Sequence, residues 1–388
     1  MNYKLLFISL LLTSLLLILF IHCKYIHIKS FQTISNDKKF FVFDNTYSIT
    51  SNSSKIPTIF KQVFHDNSIT NVYNYYDSNI IFLYSSDDFD KLHKLPFNKH
   101  VDVIYGIRSI NMIASKSALA IIIRINNSAT YENILPSTWI VSLKKERDHM
   151  HKLFDKQTGI SNKPLICKKN IQRQQGLHIV KNIQELPKGY YKQYAICQEL
   201  LMNPFLVAGH KINIRIYLLI FVNQKHNRIE GYINNEGFIY YAPKKFTKKK
   251  LDKEYHITTG YIDRKIYKNN PLSLGDLYIH IEKKYGKEKL TFFKTNVKQL
   301  FSTVMHTVNP MLQKNELEED DSPNRFIIMG CDIAPDIDLE VKLMEINKGP
   351  DLNAKDRRDG VIKYNVVKDA LAICGILNHK PNTYTKIF

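Results

Sequence analysis

The stretch 332-DIAPDIDLEVKLMEINKGPDL-352 decides how the chain is read. It follows the apolar run Phe326 to Cys331, so Asp332 places a carboxylate at the end of a predicted strand. In the segment Leu343 to Asn347, Glu345 and Asn347 are two residues apart and share one strand face. If the two segments pair as a hairpin, Asp332, Glu345 and Asn347 converge. Two carboxylates and an amide suit a hard cation such as Mg2+, with ATP phosphates completing its coordination shell. An ordinary hairpin with a wet polar face explains the same spacing, and on spacing alone it is the simpler reading.

Two upstream stretches add phosphate chemistry. The segment 164-PLICKKNIQRQQGLHIV-180 reads as a strand ending in Lys168 and Lys169, a polar loop with Gly176, and a second strand. Such a loop can fold over phosphates, although lysines at strand ends are commonly just solvated. Further on, Lys211, Asn213 and Arg215 alternate with Ile212, Ile214 and Ile216. The basic side chains therefore share one face and the isoleucines the other. Cations on a buried-looking strand are costly without anions, and a phosphate is a natural partner for arginine. An edge strand with a solvated basic face is the alternative.

At 388 residues the chain is long enough for two or three domains and a proper core. Its apolar content of 44%, with 23 Tyr and 21 Phe, marks a globular protein and excludes a disordered one. The formal charge of +19 points to an acidic partner. Nucleic acid is an unfavoured partner, because charge is its only support. Cys23, Cys167, Cys197, Cys331 and Cys374 form no CxxC pair, which argues against a zinc site and against a disulfide framework.

Leu5 to Ile21 is apolar except for Ser9, Thr13 and Ser14, close to the length that spans a bilayer. Residues 1–24 read as an uncleaved transmembrane anchor and 25–39 as a stalk. A cleaved signal peptide competes, but no small-x-small site follows. Lysines after the span place the body of the chain in the cytosol, with unpaired cysteines in agreement. Residues 40–145 read as a small mixed lobe with strands at VYNYY, NIIFLYSS and DVIYGI. Ser109 to Ile125 has helical spacing, although Ala118 to Ile125 is also compatible with a strand. Residues 146–388 hold the two phosphate stretches, a hairpin around Glu236-Gly237 and a lysine cluster (Lys244, Lys245, Lys248, Lys249, Lys250). Helical periodicity at 273–284 and 290–312, an acidic surface loop at 315–324 and a terminal helix at 361–377 complete the chain.

The ordered segments Lys-loop-Gly, CQELLMNPFLVAGHKINIR, HITT and GCDIAPDIDLEVKLMEINKGP resemble the tubulin-tyrosine-ligase-like branch of the ATP-grasp ligases, from about Val101 to Leu377. The resemblance implies an α+β fold in which two lobes clamp ATP, preceded by the small amino-terminal lobe and the membrane helix. It implies ATP and Mg2+ as cofactors. Lys169 matches the strand-end lysine on the phosphates, with Lys168 as its neighbour, and Lys116 in SKSAL is a further, shorter match. Gln198, Glu199, Leu200 and Leu201 match the adenine hinge. Lys211 and Arg215 match the ATP-facing pair, and Thr258 and Thr259 a loop beside the reacting groups. Asp332, Glu345 and Asn347 match the metal ligands.

The implied reaction joins a free amino acid to a protein carboxylate through an acyl phosphate, with an acidic tubulin tail as a candidate acceptor. Three positions depart from the pattern: Asn213 stands for Asp, Thr259 for Asn, and Tyr240 for an Arg that reaches substrate and phosphate. A nucleotide-binding pseudoenzyme tethering an acidic protein to a membrane is the rival reading.

Overall fold

The computed structural model describes residues 38–43, 56–83, 92, 99–127, 131–171, 176–260, 262–317 and 322–388. Strand β1 (Lys39–Phe43), helix α1 (Thr58–Asp66), β2 (Thr70–Asn71), β3 (Ile80–Leu83) and β4 (Val103–Tyr105) come first, then α2 (Ile110–Ala114) and α3 (Lys116–Asn126). Next are β5 (Thr138–Trp139), α4 (Lys144–His151), β6 (Ile160–Lys168), β7 (Leu177–Asn182) and β8 (Ile196–Glu199). The chain continues with β9 (Leu206–Val207), β10 (His210–Asn223), β11 (Arg228–Tyr241), α5 (Leu274–Tyr285) and α6 (Lys287–Glu316). It ends with β12 (Asn324–Pro335), β13 (Val341–Asn347), α7 (Arg357–Ile373) and β14 (Tyr384–Lys386).

The strands form two sheets, as a mixed α+β fold requires. The larger has ten strands in the order β14-β11-β10-β12-β4-β3-β1-β2, with β13 on β12 and β9 on β10. The smaller is β5-β8-β6-β7, antiparallel throughout. The strands of the expected small lobe continue the sheet that carries the site, because β4 pairs in parallel with β12 from Val103 opposite Asn324 to Tyr105 opposite Phe326. Aromatic packing fixes that seam. Phe82 stacks on Tyr105 at 4.3 Å between ring centroids, and Tyr105 meets Phe326 edge-on at 5.1 Å. Truncating one such buried ring to alanine costs about 3–5 kcal/mol.

Several local expectations change. VYNYY is not a strand: Asn74 accepts from the Tyr76 amide, and that local turn diverts the chain into a 3-10 turn. Ala118 to Ile125 is helix, since Ser115 caps α3 by accepting from Ala118 N. Glu236-Gly237 is no hairpin turn. It lies inside β11 beside a register shift, and the turn falls at Asn227, which is left-handed at φ 47. Gly237 is needed there because an added Cβ would sit 2.3 Å from the Arg215 carbonyl oxygen. Glu316, expected in the acidic surface loop, ends α6 fully buried and accepts from the Ser109 and Arg108 amides.

Cys167 and Cys197 sit opposite one another on β6 and β8 and form a disulfide, so the reading of five unpaired cysteines is corrected. Sequence separation of 30 residues hid a cross-strand pairing that only the register brings together.

The expected membrane-anchored, single-pass localisation is also corrected. Among the described residues no helix is long and apolar enough to cross a membrane. Helix α6 is long enough at 30 residues, but Lys287, Lys289, Lys294 and Lys298 interrupt it. Residues 1–24, where the anchor was expected, lie outside the described residues.

Candidate active site

Strand β10 forms the floor of a cleft between the two sheets. Its alternation is as expected: Ile212, Ile214 and Ile216 are fully buried, while Lys211, Asn213 and Arg215 line the cleft. One step further, Tyr217 buries its hydroxyl with no hydrogen-bond partner. The cleft holds about 660 Å³.

The decisive hairpin exists. Strands β12 and β13 are antiparallel, with Asp332 opposite Glu345 and Gly330 opposite Asn347. Asn347 Nδ2 donates to Glu345 Oε1 at 3.1 Å, and all three side chains line the cleft. Register also places Asp332 opposite Arg215 on β10. The guanidinium grips the carboxylate in a fork, Nε to Oδ1 at 2.6 Å and Nη2 to Oδ2 at 3.0 Å. Gly330 leaves room for this arm, since an added Cβ would lie 3.1 Å from Arg215 Nη1 and 2.9 Å from Pro350. Lys116, at the first turn of α3, reaches Glu345 at 3.5 Å. Burial raises the Asp332 carboxyl against the pull of Arg215. Burial acts the same way on Glu345, but Lys116 and Lys168 outweigh it and hold that group low.

The second wall is β6 and β8. Lys168 Nζ donates to Gln198 Oε1 at 2.7 Å, and Gln198 Nε2 donates to Thr138 Oγ1 at 2.8 Å. Glu199, Leu200 and Leu201 also line the cleft, where Glu199 pairs with Lys163 at 3.1 Å and the Leu201 carbonyl accepts from Lys211 Nζ at 3.0 Å. Lys169 does not share this wall. Consecutive strand residues point to opposite faces, and its ammonium lies 5.9 Å from the Tyr194 ring instead. The strand-end lysine in the cleft is therefore Lys168. Thr258 lines the cleft; Thr259 sets its backbone amide on the Tyr241 carbonyl at 3.0 Å and is not among the lining residues. None of the five lysines from Lys244 to Lys250 lines the cleft, and Lys244 pairs with Glu254.

The electrostatics are unbalanced. Lys116, Lys168, Lys211 and Arg215 gather around Asp332 and Glu345, while Glu199, also in the lining, is paired with Lys163. Burial draws the Lys168 ammonium down to about 8, with Glu345 opposing. Burial, then repulsion from Lys168, brings Lys211 down to about 7. Buried lysines in this condition lack anions, and a polyphosphate would supply them. Among the described residues no group of three or more His, Cys, Asp and Glu could hold a metal. Two carboxylates and an amide therefore cover part of a hard cation's shell and suit one that arrives with phosphate oxygens. The residues present are compatible with a nucleotide phosphate chain and Mg2+, for which Lys168, Lys211 and Arg215 would be the phosphate contacts and Asp332, Glu345 and Asn347 the metal ligands.

Sequence reading missed the far end of the cleft, where Asp351, Asn353 and Lys355 follow the hairpin. Their only signal was the polar run after Pro350, indistinguishable from a surface loop.

A large mixed sheet and a small antiparallel sheet, closing on a cation-lined cleft with paired carboxylates at one hairpin, make a mixed α+β architecture consistent with an ATP-grasp-like domain. The chain belongs to the tubulin-tyrosine ligase family, whose sequence model matches residues 98–383. It is 23% identical over 184 residues to a probable tubulin polyglutamylase TTLL9 of Bos taurus, covering 46% of this chain and 38% of that protein. A probable tubulin polyglutamylase ttll-9 of Caenorhabditis elegans is 23% identical over 260 residues, covering 63% and 58%. Tubulin polyglutamylase TTLL6 of Mus musculus is 24% identical over 232 residues, covering 56% and 27%. The chain thus spans less than two thirds of each of these relatives.

Proposed function

We propose that this protein is an ATP- and Mg2+-dependent ligase that joins the amine of an amino acid to a carboxylate on an acidic protein. The observation that carries the reading is the inner cleft itself, with four cations facing Asp332 and Glu345. Bound ATP would phosphorylate the carboxylate, leaving ADP, and the amine would attack the acyl carbon of the resulting acyl phosphate and displace inorganic phosphate. The protein needs no covalent nucleophile for this; charge stabilisation and alignment suffice.

Each residue's part follows from its place. Lys168 and Lys211 neutralise phosphate oxygens from opposite walls. Arg215 spreads its charge over the transferred group once its grip on Asp332 loosens. Asp332, Glu345 and Asn347 hold the cation. Gln198 fixes the Lys168 ammonium, while Glu199 to Leu201 border the base. Thr258 lies beside the reacting groups. The names of the relatives support tubulin as the acceptor, and the charge of +19 suits an acidic tail.

The test is ATP turnover by the full chain across a panel of amino acids, with tubulin and other acidic proteins as acceptors. Amino-acid-dependent ADP release together with a mass increase on the acceptor is expected. ATP binding without either, across the panel, refutes the ligase reading.

A further inference from the structure

The inner-cleft cations each hold a contact within the protein, Lys168 and Lys211 with neutral oxygens. Arg215 grips Asp332, Lys116 faces Glu345, Lys168 bonds to Gln198, and Lys211 to the Leu201 carbonyl. The outer end is built differently. Tyr240 stands opposite Asn213 across β10 and β11, and its ring lies 5.3 Å from the Arg215 guanidinium. Burial pushes its hydroxyl up to about 12, so it stays neutral. Lys355, from the segment between β13 and α7, comes to the same place. A Cβ added to Gly260 would lie 3.2 Å from the Tyr240 ring and 3.3 Å from Lys355 Nζ, so ring and ammonium converge on that glycine. Lys355 Nζ donates to the Gly260 carbonyl at 3.0 Å and stands 3.6 Å from the Asp351 carboxylate. Asp351 and Lys355 both line the cleft and both remain partly open to it.

We infer that Lys355 and Asp351 form the receptor for the free amino acid substrate, Lys355 taking its α-carboxylate and Asp351 its α-ammonium. The inference rests on the ligase reading above and adds to it where the amine substrate is held. An ordinary solvated pair of this i,i+4 spacing would be worth little. This one lines the cleft, is held against a backbone carbonyl, and converges with the neutral Tyr240 ring on Gly260. An ammonium and a carboxylate side by side match the two charges of an amino acid. A charge-assisted hydrogen bond to each is stronger than a neutral one. Gly260, where an added Cβ would crowd both the Tyr240 ring and Lys355, then leaves room for the amino acid. The positive charge that Tyr240 does not provide is supplied here from a different segment of the chain.

The test measures amino acid binding to the full chain by calorimetry, with Mg2+ and a non-hydrolysable ATP analogue present. The probes are the best amino acid from the turnover panel and its α-carboxamide, which keeps the ammonium and loses the carboxylate. Wild type should prefer the acid by at least tenfold. Lys355→Ala should bind the acid at least tenfold more weakly and lose the preference over the amide. Lys355→Arg should keep most of it. Asp351→Asn should weaken acid and amide alike. The loss of amino acid affinity in Lys355→Ala should exceed any loss of analogue affinity at least tenfold. If Lys355→Ala still prefers the acid as wild type does, the inference is wrong while the ligase reading stands. If wild type binds the analogue but supports no amino-acid-dependent turnover, the ligase reading falls instead.

Discussion

Phosphate binding should draw protons from solution, because it recharges two lysines that burial has partly discharged. With Lys168 near 8 and Lys211 near 7, the free protein at pH 8 carries about half a proton on the first and about a tenth on the second. A bound triphosphate restores both to full charge, an uptake of about 1.4 protons per site. Linkage then fixes the sign. ATP affinity falls as pH rises through this range, by roughly tenfold to thirtyfold per unit near pH 8. The free protein behaves oppositely. Both lysines have folded values below the unfolded 10.5, so between about 7 and 10.5 the unfolded chain binds more protons, and stability rises with pH. Calorimetric titration with Mg-ATP at pH 8 in two buffers of different ionisation enthalpy reads the uptake directly. Lys211→Met should remove about 0.9 proton, and Lys168→Met more than about 0.5, because losing the Lys168 charge also leaves Lys211 more fully protonated before binding. Uptake below about 0.2 proton in wild type would mean that these lysines do not meet phosphate, and the inner cleft would need another occupant.

Other perturbations follow from the same geometry. Glu345→Gln keeps size and removes one charge, so Mg2+ dependence of ATP binding should weaken at unchanged melting temperature; an unaltered Mg2+ titration would unseat Glu345 as a ligand. Lys168→Ala should weaken ATP binding by about 1.5–3 kcal/mol while Lys169→Ala does little, and equal effects would contradict the placement of the two side chains on opposite faces. Glu316→Gln should destabilise the fold by about 3–5 kcal/mol in denaturant unfolding, because it removes the buried carboxylate that faces the fully buried Arg325 guanidinium. A loss under 1 kcal/mol would show that this buried pair contributes little.

Much of the inner site could be read from alternation. A two-residue period is enough to put Lys211, Asn213 and Arg215 on one face and Glu345 beside Asn347. It does not give the phase at a strand end, where two adjacent lysines are equally plausible; the pairing of Cys167 with Cys197 decides it by turning Lys168 the other way. The Arg215–Asp332 fork spans 117 residues and depends on register between β10 and β12, which no local pattern encodes. Asn74 turned an aromatic run away from strand through one side-chain hydrogen bond. Lys355 was illegible because its meaning comes from Gly260 and Tyr240, about a hundred residues upstream. Strand β14 pairs with β11 through three residues, too short for any periodicity to show.

The ten-stranded sheet does not respect the limits of the family match. That match begins at residue 98, yet β1, β2 and β3 lie before it and hydrogen-bond onward from β4. A fragment cut at the family boundary would strip β4 of its neighbour and leave Val103 to Tyr105 as a raw edge, with amide and carbonyl groups turned outward beside the exposed faces of Tyr105 and Phe326. Such an edge invites intermolecular strand addition. The stretch that matches the family and the stretch that completes the sheet are therefore different objects, and β1 to β3 cover an edge that such a cut would open.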